Sequence, residues 1–311
     1  MTDSSLPCLV WGCNPSAQIE FAWLTCLLGN MQHVQAWHST EIQLTVTPPV
    51  VLVESGILFL ERFPSEDRIK ALRNARTHRI NQLAKISNFG LIHLSDEQGF
   101  DGDQLYPELP QGTVVWRNFH YPRFQSSSFI NFFPIGPRVE LLKVNSTINS
   151  LLSASKRQFP WVFMGTLWSS GTRTLAASLF LRALPKGFFF AGKRFGQGLE
   201  PSVYREHLLS SAFSLCPEGD RHFDTFRLYE SLQAGCIPVI VDQRSMAIVL
   251  FGSNTVLPIF TSWLEALEWV QFLLANPEQL DRQQEKLKLW WNMHKQSLAY
   301  RMRQSLLGTT V

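Results

Sequence analysis

Short apolar runs, each closed by glycine, proline or a polar turn and followed by a stretch of helical period, recur along the whole chain. In the first half, runs at 9–12, 33–38, 50–53, 89–94 and 113–116 predict strands, and 17–28 and 65–87 predict helices. The first helix is closed by Gly29-Asn30, and the second opens on Ser65-Glu66-Asp67. In the second half, strands at 161–164, 187–192, 212–216 and 236–241 alternate with helices at 172–184, 204–210 and 224–235. Asp224 suits the start of that last helix, and Gly235 its left-handed stop. Helices at 263–275 and 278–307, parted by Asn276-Pro277, end the sequence. Strands alternating with helices are the pattern of parallel sheets in an α/β fold.

The stretch 145–157 turns polar and serine-rich ahead of Pro160, which reads as a linker. It divides the chain into a domain over 1–150, a second over 151–275, and a terminal helix over 276–311 that is expected to pack back toward the first domain. A chain of 311 residues suits two cores.

With 45% hydrophobic and 17% charged residues the chain is a folded protein, and a net charge of +3 with no basic run argues against a nucleic-acid partner. The five cysteines sit mostly in apolar runs without a C-x-x-C pair, as reduced core residues of a cytoplasmic protein would. No apolar stretch is long enough to span a membrane. Ten Trp and 23 Phe leave room for peripheral contact with a membrane face or a glycan.

The candidate chemistry lies at strand ends, where doubly wound sheets bind ligands. Arg227 and Glu230, three apart near a helix start, make a weak stabilising pair, because the cation lies at the positive end of the helix dipole. A solvated ion pair is one reading. The other is a cation added to free N–H groups for a diphosphate, with the carboxylate left to accept from hydroxyls. Arg173 opens the helix that follows the loop 165–171, a second place for phosphate. The cations Arg68, Lys70, Arg73, Arg76 and Arg79 read as a solvated helix face, and Asp101-Gly102-Asp103 as a turn. No metal is expected to be required.

The stretch from Phe213 through Cys216-Pro217-Glu218-Gly219, then Arg227, Glu230, Leu232, Gly235-Cys236-Ile237-Pro238-Val239, resembles the signature of the exostosin-like (GT47-type) glycosyltransferases. Glu218 departs from it, standing where the family often has Arg. The blocks His93-Leu94-Ser95-Asp96-Glu97, Arg117-Asn118-Phe119-His120 and Phe133-Pro134-Ile135-Gly136 resemble the branch that includes the ribitol xylosyltransferase, with Phe119-His120 departing from its aromatic pair. The resemblance spans about 89–242, and the soluble chain looks like a bacterial member.

It implies a GT-B fold, two Rossmann-like domains facing across a cleft, and transfer of a sugar from a nucleotide sugar, a UDP-sugar above others, to a hydroxyl of a glycan or polyol. Arg173, Gly165, Arg227, Glu230, Gly219 and Thr225 would hold the donor. Arg117, Asn118 and His120 would lie on the acceptor side. An inverting enzyme would need a base, for which Asp96, Glu97 and His93 are the candidates in that order; inversion and retention both remain open. The rival is a GT-B protein that binds a nucleotide sugar or glycan without turnover, against which the retained Arg227 and Glu230 argue. A nicotinamide oxidoreductase is disfavoured by the absence of G-x-G-x-x-G.

Overall fold

The computed structural model describes residues 6–37, 49–57, 64–142, 151–167, 171–193, 197–219 and 222–308. Ser169 and Ser170 of the expected phosphate loop, and 145–150 of the expected linker, lie outside the described residues. The chain forms two compact units, one of 1–134 with 295–311 and the other of 135–294. The second unit thus begins before the expected boundary at 150.

The first unit is a parallel sheet of β1 (Cys8–Trp11), β2 (Gln32–Gln35), β3 (Val50–Ser55), β4 (Phe89–Leu94), β5 (Val115–Arg117) and β6 (Ile130–Phe132). The order is β2-β1-β3-β4-β5-β6. The inner strands β1, β3 and β4 are buried throughout, which is why they read as continuous apolar runs without alternation. From β1 the chain crosses to β2 on one side, and from β3 it moves out to β4 on the other. The winding therefore reverses between β1 and β3, and ligands in such sheets bind beyond the strand ends at that reversal.

Helix α1 (Phe21–Leu28) follows a 3-10 turn at Pro15–Ala17, so the helical stretch expected from 17 begins later. Helix α2 (Glu66–Ile86) is capped by Ser65, whose side chain accepts from the Arg68 N–H, and carries Glu66 and Asp67 in its first turn. Its expected solvated face is corrected at two positions. Arg76 and Arg79 are buried, because each meets a buried carboxylate: Arg76 bonds Asp101 at 2.5 and 2.8 Å, and Arg79 bonds Glu54 at 2.9 and 3.1 Å. Asp101-Gly102-Asp103 forms the start of a short helix, α3 (Phe100–Leu105), instead of a plain turn. A further helix, α4 (Pro122–Gln125), precedes β6.

The second unit opens with α5 (Val139–Leu142) and contains β7 (Phe159–Thr166), α6 (Thr172–Ala183), β8 (Phe188–Gly192), α7 (Pro201–Leu209), β9 (Ser211–Leu215), α8 (Phe226–Gln233), β10 (Ile237–Val241), α9 (Met246–Phe251), β11 (Ile259–Phe260) and α10 (Trp263–Leu274). The strand order is β11-β10-β9-β7-β8, again parallel, with the reversal between β7 and β9. Gly187 is required here, because a Cβ would fall 2.0 Å from the Trp161 indole. That indole is locked in turn by a 2.7 Å bond to the Leu184 carbonyl.

Helix α8 corrects the expected cap. Its N-cap is Thr225, with no capping side-chain bond. Asp224 instead accepts from the Ile135 N–H at 3.3 Å and from the Tyr229 hydroxyl. The stop at Gly235 holds, at φ 62°. The last helix, α11 (Pro277–Leu307), starts in the second unit, where Trp291 donates to Gln233 at 3.0 Å. Its residues from Lys295 on belong to the first unit, where Ser305 accepts from Trp116 at 2.8 Å and Arg303 donates to the Leu27 carbonyl.

Candidate functional site

Five of the six donor candidates gather at the reversal of the second sheet. Arg227, in the first turn of α8, sends Nε and Nη2 to the Met164 carbonyl of β7 at 3.2 and 3.1 Å, with its guanidinium over the Phe163 ring at 4.7 Å. This aims the group across the strand ends. Among the described residues its Nη1 is buried without a partner, and so is the hydroxyl of Thr225. A buried guanidinium N–H left unpaired is costly, and an anion in front of it would remove the cost. Gly165 makes the approach possible, since a Cβ there would fall 2.1 Å from Arg227 Nη2.

Arg173 is buried, not a surface cation. It donates to the carbonyls of Thr166, at the end of β7, and Glu218, just past β9, at 2.8 and 3.1 Å. It therefore ties together the two loops that flank the reversal. Gly219 closes the second loop, its N–H bonded to the His222 carbonyl at 2.7 Å. Glu218, at the departure from the family signature, pairs with Arg244.

Gly165→Ala is expected to displace the Arg227 side chain without removing any charge. The prediction is a loss of nucleotide affinity approaching that of deleting Arg227, with the far-ultraviolet circular dichroism unchanged. Titrating both variants in parallel checks it.

The Arg227–Glu230 ion pair is not formed. Glu230 is 1% exposed and turns to other partners: Arg138 Nε at 2.5 Å and the Tyr204 hydroxyl at 2.6 Å. Burial pushes Arg138 toward deprotonation, but the Glu230 carboxylate outweighs it and holds the guanidinium above its usual range. Burial and the same carboxylate push the Tyr204 phenol well above its ordinary value. Sequence reasoning missed Arg138 and Tyr204. No spacing links them to Glu230, which lies 92 and 26 residues away; the only signal was the Pro-rich end of β6 just before Arg138.

In the first unit, a cavity of about 330 Å³ opens beyond the ends of β3 and β4. Gly56, Arg73, Ser95, Asp96, Glu97 and Phe100 are among its lining residues. Of the three base candidates, Glu97 is exposed. His93 is fully buried, with Nδ1 on the Tyr106 hydroxyl at 2.9 Å and Nε2 on Asp101 at 3.1 Å. The Asp96 carboxylate is already occupied, by the N–H groups of Asp101 and Gly102 at 3.2 and 2.9 Å and by Arg117 at 3.3 Å.

The acceptor-side candidates are interior groups of this unit. Arg117 is 0% exposed, bonded to Tyr106, Asp96 and the Asn118 carbonyl and stacked on Phe124 at 4.5 Å. Asn118 donates to the Phe133 carbonyl, and His120 lies against Phe132. Among the described residues no three His, Cys, Asp or Glu side chains converge as a metal site would require. No helix among them is long and apolar enough to cross a membrane.

The Exostosin GT47 domain matches residues 117–272. No curated relative matches the chain. Among solved structures, an alpha-glucosyltransferase in complex with UDP and a 13-mer DNA is similar with a TM-score of 0.59 and 12% identity, over 96% of this chain and 98% of that one. T4 phage BGT in complex with UDP and Mn2+ is similar at 0.50 and 12%, over 96% and 98%. An alpha1,3-fucosyltransferase is similar at 0.50 and 12%, over 98% and 92%. These likenesses carry the fold, an α/β architecture of the GT-B type.

Proposed function

The chain belongs to the Exostosin GT47 glycosyltransferase family, and from that premise we propose that it transfers a sugar from a UDP-sugar to a hydroxyl of a glycan or polyol without requiring a metal. The observation that carries the reading is the buried, unpartnered Nη1 of Arg227 at the reversal of the second sheet. A diphosphate there would receive the guanidinium, the Thr225 hydroxyl and the first free N–H groups of α8. As the anomeric C–O bond breaks, negative charge grows on the leaving diphosphate, and a fixed cation in a water-poor site stabilises it without reorganising. Arg173 supports this by fixing the two loops, and Gly219 by keeping one of them tight.

Glu230 is proposed to meet donor hydroxyls. Tyr204 anchors it on one oxygen, and Arg138, whose side chain is 42% exposed, sits on the other where a sugar or ribose hydroxyl would compete. The choice of UDP is supported by the nucleotide in fold neighbours, and a polyol acceptor by the resemblance of 93–97 and 117–120 to the ribitol xylosyltransferase branch.

A nucleotide panel in a thermal-shift assay tests the reading. UDP is expected to raise the melting temperature, by about 2.7 kcal/mol of linkage at a hundredfold excess over Kd, and EDTA to leave the shift unchanged. A shift only with magnesium or manganese would overturn metal independence. No shift with any nucleoside diphosphate would overturn the donor site.

A further inference from the structure

Helix α2 carries arginines at three-residue intervals, Arg73, Arg76 and Arg79. Two of them are engaged by carboxylates of the same unit, Arg76 by Asp101 and Arg79 by Glu54. Arg73 has no such partner among the described residues. It lines the 330 Å³ cavity beyond β3 and β4, and its Nε is buried with nothing to bond. The two buried carboxylates in the lining are already taken: Asp101 holds Arg76 and His93, and Asp96 receives Arg117 and the N–H groups of Asp101 and Gly102. A shielded guanidinium N–H without an acceptor is costly, and an anion in the cavity would supply one.

The rest of the lining limits which anion fits. Ile57 and Ile69 are apolar, and Phe100 is 60% exposed, an aromatic face open to the C–H side of a sugar ring. Ile69 lies one turn before Arg73 on α2, so the cation and an apolar surface reach the cavity from one helix face. Ser95, Glu97 and Gln98, in the loop after β4, add groups that bond hydroxyls. Ser95 already donates to Glu20 at 3.2 Å, which leaves its oxygen to accept. Gly56 lets this loop come close, since a Cβ there would fall 2.8 Å from the Ser95 carbonyl oxygen. Such a space, apolar walls around a few polar groups, is at the small end of ligand cavities and too roomy for a bare phosphate.

We propose that this cavity binds a hydroxylated organic anion of monosaccharide size, a sugar acid or a sugar phosphate. Arg73 takes the anionic group, Phe100 and the two isoleucines pack on the ring, and the loop after β4 bonds the hydroxyls. Glu97 is exposed, and its charge opposes that of the ligand, an effect that water and salt weaken without cancelling. This binding does not depend on the glycosyl-transfer reading above, because every lining residue belongs to the first unit and no nucleotide is involved.

Three probes that share a hexose ring and differ only at its last carbon test the site: glucose, glucuronate and glucose 6-phosphate. Each is titrated calorimetrically into wild type, Arg73→Gln and Glu97→Gln. One or both anions are expected to bind wild type about tenfold or more tighter than glucose, and the tighter of the two tells whether a carboxylate or a phosphate is recognised. Arg73→Gln should bring the anions down to the level of glucose, with its melting temperature near that of wild type because no ion pair is lost. Glu97→Gln should tighten both anions severalfold and leave glucose unchanged, an opposite sign that a merely structural role for either residue would not give. Hydrogen exchange with the tighter anion bound should slow in 55–57 and 95–101 and stay as it was in 161–173 and 213–230.

Glucose bound as tightly as both anions, no binding of either anion, anions held equally well by Arg73→Gln, or protection confined to 161–173 and 213–230 would overturn the proposal. If Arg73→Gln does not fold, the sign of the Glu97→Gln change decides. None of these readings uses UDP, so failure here and failure of the donor site are told apart.

Discussion

Arg227→Ala is expected to lower UDP affinity by roughly 10- to 150-fold, the loss of a charge-assisted bond of ~1.5–3 kcal/mol. Turnover should fall further if the guanidinium meets the charge that develops on the leaving group. Folding should change little. The variant loses a contact to the Met164 carbonyl and the Phe163 ring, but it also removes a buried N–H that has no partner. Arg227→Lys should recover only part of the affinity, because a single ammonium cannot hold Met164 and face a phosphate together. Titration of UDP into each variant measures this. Wild-type affinity in Arg227→Ala would mean that the orphaned N–H is incidental.

The largest stability effect is expected at Arg76. Its removal would strand the Asp101 carboxylate, buried beside His93, which costs about 3–5 kcal/mol for a broken interior pair. At about 2–4 °C per kcal/mol for a body of this size, the first unit should melt on the order of 10 °C lower. Replacing both partners with apolar residues should restore most of the loss, since no charge is then left unpaired. Burial works to raise the Asp101 carboxyl, but Arg76 and His93 outweigh it and hold it well below the usual range. The stability it lends is therefore present above the ordinary carboxylate value near pH 4 and is lost as pH falls from there toward the depressed folded value. Asp101→Asn should accordingly flatten the acid limb of the unfolding curve. Calorimetry on the single and double variants checks all three statements.

Much of this was legible because buried parallel strands leave unbroken apolar runs. Val50 to Val53 and the stretch around Phe213 could be read directly, as could the stop at Gly235, whose backbone demands a left-handed residue. Arg227 and Arg173 stood out through the family resemblance, together with their place in the first turn of a helix that follows a strand. What was not legible was pairing at long range. Arg76 and Arg79 look like any solvated helix face until Asp101 and Glu54 arrive from other elements, 25 residues away in each case. Glu230 reads as the natural partner of Arg227 by helical spacing, yet it pairs with Arg138, just before α5, and with the Tyr204 hydroxyl of α7.

Hydrogen exchange with and without UDP tests the central claim most directly, because it locates the ligand without assuming any residue's role. The account predicts slower exchange on UDP binding in peptides covering 161–173 and 213–230, which hold the end of β7, the start of α6 and the start of α8, with 55–57 and 95–101 unchanged. Protection confined to 55–57 and 95–101, with the β7 and α8 peptides exchanging as before, would contradict it.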